Sequence, residues 1–138
     1  MNRMRYVPTD AHGDIITLTI GGNDLIADLQ RHLDEGPESF AKEHLALLQS
    51  IRHTNPDATF IVGNVYAPQS ALPDIMLRSL DAANDAIAEN VRSVGALLAD
   101  IRENFRGQER EYLCYDIEPS HKGATVIANL FFEAYRNS

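Results

Sequence analysis

The sequence predicts an α/β domain of three layers, with helices on both faces of a parallel sheet. Two observations carry this expectation. Residues 15–20 and 58–65 are almost continuous apolar and β-branched runs of strand length, which read as strands buried on both faces, as in a parallel sheet. Longer segments with apolar residues at helical spacing follow each run, and strand–helix alternation of this kind builds an α/β fold.

The strand-like stretch 14–24 organises the rest. Gly21-Gly22 closes the first run, since a glycine pair accepts backbone conformations that a β-carbon forbids. Asn23 and Asp24 then emerge at the carboxyl end of the strand, where open α/β sheets place their ligand sites. Residues 1–13 are mostly polar, and Pro8-Thr9-Asp10 breaks any helix there. Leu25, Ile26 and Leu29 begin a short helical or loop segment that stops at Asp34-Glu35-Gly36-Pro37.

Ser39 is positioned to cap a second helix with Phe40, Leu45, Leu48 and Ile51 on one stripe, ended by Asn55-Pro56-Asp57. The second strand, 58–65, runs into Tyr66-Ala67-Pro68. A helix follows from Pro73 at least to Val91, with Leu77, Leu80, Ile87 and Val91 along one side. Beyond it, periodicity alone continues the helix through Val94, Leu98, Ile101 and Phe105, and a single glycine such as Gly95 is tolerated inside a helix. Residues 102–117 read as a long charged loop. Pro119 and Ser120 start the last helix, 122–135, with Ala124, Ile127, Ala128, Phe131 and Ala134 as its apolar face.

Composition bounds the function. A chain of 138 residues supports one domain, 1–138, with a sizeable core. Hydrophobic residues at 44% and charged residues at 23% are ordinary for a globular protein. The net charge of −8 disfavours nucleic acid and anionic membranes, because no basic face is available to release counterions. A single cysteine, Cys114, excludes an internal disulfide and fits a reducing compartment. No apolar run approaches the roughly 18 residues of a membrane span, and no apolar stretch follows the charged start, so a cytoplasmic location without signal peptide is expected. The five histidines show no metal-type spacing with each other or with Cys114, and no Gly-rich phosphate loop precedes a lysine. Neither a metal nor a cofactor is expected.

The phrase Ile-Thr-Leu-Thr-Ile-Gly-Gly-Asn-Asp, 16–24 with its preceding Ile15, resembles the Gly-x-Asn-Asp block of the SGNH (GDSL-type) esterase and lipase family. Tyr66-x-Pro68 is similar to that family's next strand end. Asn84-x-x-Ile87, Gly95, Asp100 and Phe105-Arg106-Gly107 resemble the helix, strand and loop after it, which favours a break near Ser93-Val94-Gly95 and then a third strand, 96–101. Asp116-Ile117-Glu118-Pro119-Ser120-His121-Lys122-Gly123 resembles the closing Asp-x-x-His-Pro block. The likeness runs from about residue 11 to 135. It implies a flavodoxin-like SGNH hydrolase fold lacking its first strands, and an ester hydrolase acting on small esters or O-acetylated sugars.

What the resemblance implies for the site is uneven. Asn23, beside Gly22, matches the side-chain amide that donates to the oxyanion, an interaction whose loss typically costs about 2.7–4 kcal/mol of transition-state stabilisation. Aligned on Pro119 and Gly123, Glu118 falls in the column of the family's histidine, and Asp116 lies one place closer to that column than the family's aspartate. In one arrangement Glu118 replaces the base, a weak choice with a reference pKa near 4.3 against about 6.5 for histidine. In another, Glu118 and His121 face each other at i and i+3 as an acid–base pair. In a third, both residues merely cap a helix N-terminus, where Glu118 is favourable and His121 incidental.

The Gly-Asp-Ser block that carries the family's nucleophile has no counterpart, and neither does its glycine oxyanion block. Loss of a triad serine typically lowers turnover on the order of 10⁶-fold. The alternative to an esterase is therefore a non-catalytic remnant or interaction module with the same fold. In the family the nucleophile strand pairs beside the strand starting at Ile15. Without it that strand is an open apolar edge, which proteins seldom leave uncovered. Self-association, or a complementing chain at the 15–20 edge, is the expected consequence.

Overall fold

The structure, a computed structural model, describes residues 7–20 and 36–138. Its elements are β1 (Ile15–Thr19), α1 (Pro37–Thr54), β2 (Thr59–Gly63), α2 (Asp74–Ser93) and β3 (Leu97–Ala99). They continue with α3 (Ile101–Phe105), α4 (Glu109–Tyr112), β4 (Leu113–Cys114), β5 (Glu118–Pro119) and α5 (His121–Arg136). The expected segment at Leu25–Leu29 lies outside the described residues.

β1, β2 and β3 form a parallel sheet in that order, with β1 paired to β2 from Ile15↔Thr59 to Thr19↔Gly63 and β2 paired to β3 from Ile61↔Leu97 to Gly63↔Ala99. The pleat sends alternate side chains to opposite faces. Phe60 and Val62 join Phe40, Leu48, Ile51, Leu80 and Ile87 in a core beneath α1 and α2. On the other face Ile101, Phe105 and Leu113 pack with Ile127, Leu130 and Phe131 of α5. The result is the expected three-layer α/β arrangement. Full burial of each such side chain contributes about 1.5–3 kcal/mol.

Long-range polar contacts fix the layers in register. Asn55, just past the end of α1, accepts from Gly13 N–H at 3.0 Å and donates to the Ala11 carbonyl at 2.8 Å, so it steers the chain into β1. Arg52 donates to the carbonyls of Val94 at 2.9 Å, Gly95 at 3.0 Å and Ala58 at 2.8 Å. It thereby satisfies orphan carbonyls at the end of α2 while tying α1 to both neighbouring strands.

Several expectations are corrected. β1 is not buried on both faces. Ile16 and Leu18 pack on the core, but Ile15, Thr17 and Thr19 are exposed, because among the described residues nothing covers that face and β1 pairs only with β2. α1 starts at Pro37 after Gly36, so Ser39 lies in its first turn, and the buried stripe passes through His44 and Leu47 instead of Leu45. α2 does end before Gly95, whose φ of +64° turns the chain into β3. β3 is shorter than expected, since the Asp100 side chain accepts from Glu103 N–H and caps α3 at once. Residues 102–117 are not a plain loop: α3, α4 and β4 occupy most of them. On α5, Ala124 and Ala128 are exposed, and Val126 and Leu130 join Ile127 and Phe131 against the core. No helix among the described residues is long and apolar enough to cross a membrane.

Candidate active site

The carboxyl ends of the parallel strands point to one end of the sheet, and the chain leaving β2 is built there by side-chain clamps. Asn84 of α2 accepts from Val65 N–H at 2.9 Å and donates to Val65 C=O at 2.7 Å, so one buried amide satisfies both backbone groups of that residue in place of a strand partner. Asn64 donates to Asp100 Oδ1 at 2.7 Å and accepts from Arg102 N–H at 2.9 Å, which binds the end of β2 to the start of α3. Tyr66 then packs its ring against Phe105, with centroids 5.0 Å apart.

From this platform the 66–70 segment grips the turn between β4 and β5. The Tyr66 hydroxyl donates to the Ile117 carbonyl at 2.9 Å. Gln69 N–H donates to the Asp116 carbonyl at 2.8 Å, and its side-chain amide donates to the Leu113 carbonyl at 2.6 Å. Ser70 reaches Asp116 twice, from N–H to Oδ1 at 2.7 Å and from Oγ to Oδ2 at 3.1 Å. The turn itself is unusual, with Tyr115 at φ 49° and Asp116 at φ 73°. Non-glycine residues enter that region at a cost, and the clasp from 66–70 holds them there.

The turn delivers the predicted residues of the closing block. Glu118 stands exposed on β5, paired across the hairpin with Cys114. Ser120 caps α5, its Oγ accepting from Gly123 N–H at 3.1 Å and donating to the Glu111 carbonyl at 2.8 Å. His121 is the exposed first residue of α5. Gly123 is required by close approach, since a Cβ there would lie 1.9 Å from the Tyr112 carbonyl oxygen.

Glu118 and His121 are thus close in sequence, but the helical i, i+3 pairing is not formed. Glu118 belongs to a strand that precedes the helix, and no hydrogen bond or ion pair joins the two among the described residues. Neither makes the helix cap; Ser120 does. Glu118 is felt electrostatically by Tyr66, whose phenol is pushed above its ordinary value first by burial and then by that carboxylate. Asp116 is turned towards Ser70. Gly22, Asn23 and Asp24 lie outside the described residues, although β1 ends at Thr19 on the same edge of the sheet as Gly63.

Among the described residues no serine hydroxyl is hydrogen-bonded to a histidine: Ser93 bonds the Asn90 carbonyl, Ser138 that of Tyr135, and Ser70 and Ser120 are engaged as above. No group of His, Cys, Asp and Glu among them could hold a metal ion. Sequence reasoning missed Gln69, Ser70 and Asn64. Their partners lie 36 to 47 residues away, so only the neighbouring Tyr66-x-Pro68 turn hinted at this region.

No curated protein matches the chain by sequence. Solved structures do match its fold. A protein described as a GDSL-like lipase from Parabacteroides merdae superposes with a TM-score of 0.74 at 17% identity, over 88% of this chain and 59% of its own. LAE5, an alpha/beta hydrolase enzyme from the metagenome of Lake Arreo, gives 0.69 at 26% identity over 88% and 59%. A catalytic mutant of Axe2, an acetylxylan esterase from Geobacillus stearothermophilus, gives 0.69 at 16% over 88% and 58%. The chain therefore spans about three fifths of the length of these neighbours. They share the SGNH hydrolase fold, and the profile of one family matches residues 2–126. On that match the chain belongs to the GDSL-like Lipase/Acylhydrolase family.

Proposed function

We propose that this chain supplies the later part of a serine ester-hydrolase site, for cleavage of small esters or O-acetylated sugars. The observation that carries the reading is the clasp of the 66–70 segment on the 115–117 turn, a built platform that leads directly into Glu118 on β5 and His121 at the start of α5. Acetylated xylan is the substrate named for Axe2, one of the fold neighbours. In this reading Asn23, with Gly22, donates to the oxyanion. Glu118 or His121 takes the proton of the attacking hydroxyl. Asp116 acts behind them, through the loop that its bonds to Ser70 hold in place.

The hydroxyl comes from a Gly-Asp-Ser segment on a parallel strand that docks along the open edge of β1. Parallel pairing sends the backbone groups of Ile16 and Leu18 towards β2, as the bond from Thr59 N–H to the Asp14 carbonyl at 2.9 Å requires. Those of Ile15, Thr17 and Thr19 are left for a further strand. Light scattering on the purified chain reads this directly, and a monodisperse monomer contradicts an associated edge.

The activity test is hydrolysis of 4-nitrophenyl acetate by the purified chain, with and without a polypeptide bearing the Gly-Asp-Ser strand. Turnover is expected only with both, blocked by a serine-reactive phosphonate and lowered about 10²- to 10³-fold by Asn23→Ala. Phosphonate-sensitive turnover by the chain alone would place the nucleophile within it. A second reading, a non-catalytic module keeping the fold, is favoured by Glu118 in the histidine column and by the structural engagement of Ser70 and Ser120. Complementation without turnover would select it.

A further inference from the structure

Beside the clasp, a cavity of about 450 Å³ opens between the 67–72 segment and the α3–α4 region. Arg102, Arg106 and Arg110 all line it, together with Gln69, Ser70 and Glu109. Such a concentration of guanidinium groups stands out in a chain with a net charge of −8. The first two are one helical turn apart on α3 and its continuation, which brings their side chains to one side.

The arginines are only partly satisfied by the protein. Arg102 is 6% exposed, yet its guanidinium makes no hydrogen bond among the described residues, and its Nε is a buried donor with no acceptor. The carboxylates that face it, Asp81 and Glu109, stand off at 3.5 Å and 3.6 Å. Arg106 is held by Glu103 at 2.9 Å and lies 3.9 Å from Asp81. The Arg110 side chain has no ion-pair partner among the described residues. Buried guanidinium donors normally find acceptors in fork geometry.

We infer that this cavity binds the oxyanion of a small ligand, a carboxylate or a phosphate monoester, with Arg102 and Arg110 as its donors and Ser70 and Gln69 at its polar rim. A planar or tetrahedral oxyanion supplies several acceptor oxygens at once, which the two distant carboxylates do not. Ser70, on the rim of the cavity, also clamps Asp116, two residues before Glu118. Anion binding here does not depend on ester cleavage, and its test reads binding alone.

The test follows the Nε–Hε resonances of Arg102 and Arg110 while sodium phosphate, sodium acetate or sodium chloride is titrated at matched ionic strength. Phosphate or acetate should give a saturable shift that chloride does not. Arg110→Gln, an exposed change that leaves the core intact, should weaken that binding about tenfold, the effect of one charge-assisted hydrogen bond. Arg136→Gln, a charge control at the end of α5 and outside the cavity lining, should leave it unchanged. Tighter phosphate binding assigns a phosphorylated ligand, and tighter acetate binding a carboxylate. The proposal is overturned if neither anion gives a saturable shift, if chloride matches them, or if Arg110→Gln binds as the parent does.

Discussion

Ser70 and Asp116, 46 residues apart in sequence, are joined by two hydrogen bonds, from N–H to Oδ1 at 2.7 Å and from Oγ to Oδ2 at 3.1 Å. This pair links the segment leaving the central strand to the turn before the last helix. The Asp116 carboxylate therefore acts as a brace. It keeps Asp116 at φ 73° and sets where Glu118 begins.

Asp116→Ala removes both acceptors and leaves a β-carbon residue at positive φ. A loss of about 2 kcal/mol is expected, against about half of that for Asp116→Asn, which tolerates the conformation and retains one acceptor. Urea unfolding of both variants measures the difference, and equal stability of Ala and Asn would show that the brace contributes nothing.

Asn84→Ala strips Val65 of partners for both its N–H and its C=O in a buried setting. The expected cost is about 2–4 kcal/mol, because two unsatisfied backbone groups remain. Asn84→Asp should fare little better, since its carboxylate faces the Val65 carbonyl that the amide had served. Thermal melts of the two variants provide the comparison.

Gly123→Ala tests the close approach of α5 to α4. With its Cβ placed 1.9 Å from the Tyr112 carbonyl oxygen, backbone must move and the Ser120 cap is disturbed with it. Destabilisation of about 3 kcal/mol or more is expected, together with loss of the native chemical shifts of residues 118–123. A variant as stable as the parent would show that the contact is looser than described.

His44 makes stability pH-dependent. It is fully buried between α1 and α2, stacked on Phe40 with centroids 5.8 Å apart. Asn90 Nδ2, a donor, faces its Nδ1 at 3.3 Å, which favours the neutral ring. Burial lowers its pKa from 6.5 to about 4. The unfolded chain therefore binds the proton first as pH falls. The contribution is fully present above about 6.5 and is lost between there and about 4, with a total of about 3 kcal/mol. Chemical denaturation across that range should show the slope, and His44→Phe should flatten it.

Much of the architecture was legible without coordinates because it rests on short-range regularities. Unbroken β-branched runs reported β1 and β2, and helical spacing reported α1, α2 and α5, although it ran past the end of α2, where only the family resemblance favoured a break. Pro119 and Ser120 announced the start of the last helix. Such features depend on neighbours within about one helical turn, so residue order alone encodes them.

The remainder was settled by contacts between distant segments. β1 proved half-open because burial depends on what lies beside a strand, not on its own composition. Residues 102–117 folded into α3, α4 and β4 because Asn64, Gln69 and Ser70 supplied partners that no local pattern announces. For the same reason Glu118 ended on a strand and not one helical turn before His121. Hydrogen-bond partners separated by tens of residues exist only once the sheet has brought them together, and that assembly positions the candidate site.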